Sequence, residues 1–161
     1  MQEYSMLECR RLYPVDFKKL EAIMWRFFDA EKLDRKDCAT GHVKFVINRT
    51  LTCNKVDEPQ FVGLFSGSDL VGFALVIHAG TWYLTDDKFA LIEFLYVDPE
   101  HRGRGAVKLL RHIENHIKQY LPDHRIVIGA NTRHQDNEHT GQFLNHMGYD
   151  QLGSTFGKMN V

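Results

Sequence analysis

An α/β chain, strands and helices together, is what three stretches of this sequence predict. Residues 90–97 form an apolar run of strand length, residues 107–117 place apolar side chains at helical spacing, and residues 60–77 read as a β-hairpin. Strands and helices that alternate in this way bury a sheet between helices.

The elements follow in chain order. Residues 5–12 suit a first strand, with Met6, Leu7 and Leu12 among polar neighbours. Pro14 fits the first turn of a helix over 15–30, where Phe17, Leu20, Ile23, Met24, Phe27 and Phe28 recur at helical spacing. Trp25 and Phe28 make this helix unusually aromatic, which fits core packing or the wall of a substrate pocket. Residues 37–54 place Val43, Val46, Ile47 and Leu51 as a helix would, although Val, Ile and Thr also suit a strand. Asp57-Glu58-Pro59 ends that pattern. The hairpin comprises 60–65, a turn at Ser66-Gly67-Ser68-Asp69, and 70–77, with Gly72 a candidate bulge. Residues 79–88 mix Trp82 and Tyr83 with Asp86 and Asp87. That composition suits recognition of a flat or cationic acceptor, or, the reading favoured here, a longer strand pair with an acidic turn.

Ala90, Leu91, Ile92, Phe94, Leu95, Tyr96 and Val97 are closed by Asp98-Pro99 and suit a strand covered on both faces. Glu93 interrupts them. A carboxylate in a packed sheet is costly unless it is hydrogen-bonded, paired or protonated, so Glu93 is either a partly solvated or Arg-paired group at a splay in the sheet, or a general base. Next come Arg102, Gly103, Arg104, Gly105 and Ala106, then Val107, Leu109, Leu110, Ile113 and Ile117 on one helical stripe. Free N–H groups at a helix start, with cationic side chains beside them, suit a cradle for an anion such as phosphate, or else an ordinary strand-to-helix connection with exposed arginines. The turn lacks the Gly-Lys-Ser/Thr of a P-loop, and Lys108 stands where a dinucleotide fingerprint needs its third glycine. Leu121-Pro122-Asp123 stops the helix; 125–130 is a short strand, 138–146 a short helix, and the tail from Tyr149 has strand-like arms around Gly153 and Gly157.

The string from Glu93 through Val97, Pro99, Arg102 and Gly105 to Val107 resembles the acyl-CoA-binding core of the GNAT superfamily of N-acetyltransferases, and residues 137–149 resemble its second signature. The resemblance implies a GNAT fold, of the α+β type, with a mixed central sheet flanked by helices and splayed at the coenzyme-binding strand, and direct acetyl transfer from acetyl-CoA to an amine. It implies that the backbone of Leu95, Tyr96 and Val97 holds the pantetheine arm, that the 102–107 turn holds the pyrophosphate, that Asn137 contacts the coenzyme, and that Glu93 takes the proton. Substrate contacts would come from Trp25, Phe28, Trp82, Tyr83 and Asp86, and the terminal arms would form the family's last hairpin. Two positions depart from the pattern. Val107 replaces the last small residue of the turn, and Leu144 stands where a tyrosine often protonates the departing thiolate. Tyr149 is the candidate acid taken here, with His146, Tyr96 or a water as alternatives.

A length of 161 residues fits one domain over 1–161, and a net charge of −1 provides no global field for nucleic acid or an anionic membrane. Cys9, Cys38 and Cys53 are odd in number and form no Cys-x-x-Cys pair, which favours buried thiols in a reducing, cytoplasmic setting over disulfides or zinc. His112 and His116 lie four apart without a His-Glu-x-x-His context, so a solvated helix face is expected rather than a metal site; surface placement is expected for His134, His139 and His146. The partners expected are acetyl-CoA and an amine acceptor, without membrane or nucleic acid, and homodimerisation stays open. Two other functions compete: an acyl-CoA-binding interaction module with impaired catalysis, and an acetyltransferase of protein lysines or N-termini.

Overall fold

Alternating apolar side chains form a first strand, β1 (Leu7–Arg11), in a computed structural model that describes residues 6–33, 40–80, 87–129 and 137–152. A short turn from Pro14 to Asp16 leads into α1 (Phe17–Ala30). Asp16 is buried there because it is fully used: its carboxylate accepts the Tyr13 N–H at 2.9 Å and both Arg10 guanidinium prongs at 2.8 and 2.7 Å. The Arg10 hydrogen bonds, the largest influence, hold its carboxyl below the usual carboxylate range. The stretch that suited a helix or a strand forms a helix over its described part, α2 (Thr40–Thr52), with Ile47 and Leu51 four apart and both buried on one face.

β2 (Gln60–Ser66) and β3 (Asp69–Gly80) form the expected hairpin around Gly67, whose φ of 60° only glycine adopts readily. The bulge is not at Gly72. Leu64 pairs with Gly72 and Phe65 with Leu70, so Val71 is the extra residue. Gly72 is needed for close approach instead, since a Cβ there would lie 3.0 Å from the Tyr96 carbonyl oxygen and 3.2 Å from the Leu64 Cβ.

β4 (Lys88–Val97), α3 (Arg104–Tyr120), β5 (Arg125–Ile128) and α4 (Asn137–His146) complete the described elements. The five strands lie in the order β1-β2-β3-β4-β5, antiparallel except for the parallel pair β4 and β5. This is the mixed sheet expected. α1 and α2 cover one face over an aromatic core that includes Phe27, Phe61, Phe73 and Tyr96, while α3 lies across β1 to β4 and buries Leu109, Leu110, Ile113 and Ile117. Val107 falls outside that buried stripe, at 37% exposure, because it sits in the first turn beyond the sheet-facing side.

The chain divides into two compact units, Met1–Gly129 and Ala130–Val161. In the second, α4 ends in a Schellman motif: the Tyr149 N–H donates to the Leu144 carbonyl at 2.9 Å and the Gly148 N–H to that of Asn145 at 3.0 Å, with Gly148 at φ 93°. The expected terminal hairpin lies outside the described residues, as do Trp82, Tyr83, Asp86 and His134. Among the described residues no helix is long and apolar enough to cross a membrane.

Candidate active site

β4 changes character at Glu93. Up to Ile92 it is paired on both sides, with Phe89 to Ile92 opposite Arg125 to Ile128 and a last rung from the Gly129 N–H to the Ile92 carbonyl at 3.0 Å. On the β3 side, Ile92 pairs with Val76 and Phe94 with Leu75, which leaves Glu93 as the extra residue of a bulge. Beyond it, residues 94–97 keep β3 as a partner but have no β5 residue opposite them. Beyond Ile92 the strand thus has no β5 neighbour, and Glu93 is exposed where the bulge takes it out of the ladder.

The strand runs into the turn that carries the anion cradle. Gly103 caps α3 with φ 81° and ψ −94° and no side-chain hydrogen bond, and a Cβ on it would meet nothing within 4 Å. Its conformation, not its size, requires glycine. Val107 donates its N–H to the Gly103 carbonyl at 3.1 Å, so the amides of Arg104, Gly105 and Ala106 are the ones a helix start leaves without an internal acceptor. Arg102 and Arg104 are exposed beside them, with the Arg102 Nε held on the Val97 carbonyl at 3.2 Å. Gly105 does something else. It is buried, and a Cβ there would lie 2.9 Å from Leu64 Cδ2 and 3.1 Å from Val97 Cγ1, so it lets α3 press against the sheet. Glu93, Leu95, Tyr96, Val97 and the 102–107 turn thus lie along one continuous strand, turn and helix start.

α1 contributes an aromatic layer. Trp25 and Phe28 meet edge to face at 5.4 Å, and Phe27 links them to the strand, 5.6 Å from Phe28, 5.5 Å from Phe94 and 5.6 Å from Tyr96. Trp25 and Phe28 are half-buried, so each has surface left to offer. Tyr96 is a poor proton donor: burial, then the nearby Asp98 carboxylate to which its hydroxyl is hydrogen-bonded, pushes its pKa up. In the second unit, Tyr149 is half-buried next to the helix cap, while His139 and His146 are exposed.

Two expectations about other side chains change. His112 and His116 do not lie on a solvated face. They are half-buried against β1 and line a cavity of about 230 Å³ with Cys9, Gln60, Val62 and Val76, and burial lowers the pKa of both. Cys9 and Cys53 are free thiols but only half-buried; desolvation raises that of Cys9 to about 11, against a smaller opposing pull from Lys108. No group of metal-ligating side chains occurs among the described residues. The residue that sequence reasoning missed is Arg26, whose guanidinium donates to both Asp98 carboxylate oxygens, at 3.1 and 2.9 Å, and to the Leu70 carbonyl at 3.2 Å.

A search of curated proteins by sequence found no match. Solved structures do match in fold: a GCN5-related N-acetyltransferase from Ralstonia eutropha (TM-score 0.71, 19% identity, 96% of this chain and 99% of that one); a ribosomal-protein-alanine N-acetyltransferase from Brucella melitensis (0.66, 15%, 96% and 100%); and an aminoglycoside acetyltransferase from an uncultured soil sample, in complex with sisomicin (0.68, 15%, 96% and 97%). The model of the acetyltransferase (GNAT) family matches residues 17–149. With the bulged strand and the glycine-led helix start inside that span, the chain belongs to the GNAT family of acetyltransferases.

Proposed function

We propose that this protein is an N-acetyltransferase that moves an acetyl group from acetyl-CoA directly to a primary amine of a small molecule or peptide. The observation that carries the proposal is the continuity of residues 94–97 of β4, which no β5 residue pairs, with amides at the start of α3 that have no partner among the described residues. An extended pantetheine arm pairs with a strand edge as an added strand does, and a pyrophosphate takes helix-start amides and arginines. In this reading residues 95–97 hold the arm, the amides of Arg104, Gly105 and Ala106 hold the pyrophosphate, Arg102 and Arg104 add charge, and Asn137 contacts the coenzyme.

Only the neutral amine attacks a thioester. For an amine of lysine-like pKa, about 10.4, reaching that form at pH 7 costs about 4.6 kcal/mol. Glu93, exposed at the bulge, receives the proton through water. The amine nitrogen bonds to the carbonyl carbon, a backbone N–H near residues 95–97 stabilises the oxyanion, the C–S bond breaks, and the thiolate takes a proton. We assign that last proton to Tyr149, since Leu144 carries none and the Tyr96 hydroxyl is engaged by Asp98. The half-exposed Trp25 and Phe28 wall the acceptor, together with Trp82, Tyr83 and Asp86 from the sequence before β4.

The test is a calorimetric titration of folded protein with acetyl-CoA, followed by thiol release with a panel of amines. Binding and amine-dependent release are expected; no binding would overturn the reading. Leu144 favours one alternative, a coenzyme-binding module without turnover, which binding without release from any amine or protein would establish.

A further inference from the structure

The joint between β4 and the cradle turn converges on one carboxylate. Asp98 donates its N–H to the Val71 carbonyl at 2.8 Å and accepts the His101 N–H at its own carbonyl at 2.9 Å. Its side chain, 16% exposed, takes the two-pronged Arg26 contact and the Tyr96 hydroxyl. Arg26 also holds the Leu70 carbonyl, so a single guanidinium on α1 grips the start of β3 and the end of β4 together. The pair does not read as a stability device. Arg26 is about half exposed, and exposed ion pairs contribute little. A planar fork on a nearly enclosed carboxylate contributes geometry instead.

We propose that Arg26 is a positioning residue for acetyl transfer, which sets the aromatic face of α1 against the coenzyme turn through Asp98. The inference rests on the acetyl-CoA reading above. α1 carries Trp25 and Phe28, and Asp98 lies between the open edge of β4 and Gly103, so the pair ties the acceptor wall to the cradle. Losing it lets the two drift, and both substrates are then held less well.

The experiment compares wild type, Arg26→Gln, Asp98→Asn and the double variant by Tm, by the KM values for acetyl-CoA and amine, and by kcat. Each single change is expected to raise the KM for acetyl-CoA roughly fivefold to tenfold, with the double variant no worse than the poorer single one. Arg26→Lys keeps the charge but not the fork, and should show most of the same increase, which covers a poorly folded Gln variant. Unchanged KM values in folded variants, a loss confined to Tm, or additive effects in the double variant would overturn the inference. Wild type that fails to bind acetyl-CoA would overturn the proposed function, and this inference with it.

Discussion

The two halves of β4 have nearly the same apolar composition and opposite duties. From Phe89 to Ile92 the strand is paired on both sides, and Ala90 and Ile92 are fully buried. From Phe94 to Val97 it pairs, among the described residues, with β3 alone. The difference comes from where β5 ends and from the one extra residue, Glu93, that the bulge accommodates. What it teaches is that a strand can be half scaffold and half binding edge without any change in its hydrophobic pattern.

The comparison can be broken or sharpened by substitution in each half. In the paired half, Ile92→Ala removes a side chain of 0% exposure and should cost about 3 kcal/mol of unfolding free energy in a denaturant titration, with acetyl-CoA affinity of the folded fraction preserved. At the junction, Glu93→Gln should lower turnover by about 10² while Tm and coenzyme affinity stay near wild type. Equal turnover at every pH would remove Glu93 from the mechanism. In the turn, Gly105→Ala should destabilise by about 1–2 kcal/mol, since its Cβ would lie 2.9 Å from Leu64 Cδ2. That result would mark Gly105 as a packing residue, and a loss of coenzyme affinity in fully stable protein would contradict it.

A smaller effect is expected from the α3 side of the sheet. Burial, the largest influence on each, pushes the pKa values of His78, His112 and His116 down; His78 is lowered further by His124 and opposed by Asp57. The unfolded chain then binds more protons than the folded one as pH drops below about 6.5. Stability from these groups is complete above that pH and declines as pH falls through their folded values. Thermal melts at pH 7.5, 6.5 and 5.5 should show that decline, and His116→Phe should flatten it.

Much of this arrangement was legible from residue spacing. The apolar period of α1 and α3, the hairpin turn and the closing Asp98-Pro99 are local signals, and the string from Glu93 to Val107 carried the family resemblance. What was not legible depends on partners distant in sequence. The bulge that exposes Glu93 arises from register against Leu75 and Val76. That Gly105 is also a packing residue, pressed against Leu64 and Val97, had no signal in the turn itself. His112 and His116 looked solvated because nothing in α3 announces that β1 lies against them. Arg26 and Asp98, 72 residues apart, had no local signature at all.

The central claim is that backbone amides at the start of α3 hold the coenzyme. It is tested most directly by comparing acetyl-CoA affinity in Arg104→Ala and Arg104→Pro. Both lose the guanidinium, but proline at a first helical position keeps the helix and deletes only the N–H. The proline variant should bind acetyl-CoA at least about tenfold more weakly than the alanine variant, the worth of one hydrogen bond to a charged group. Equal affinities in two folded variants would contradict the account.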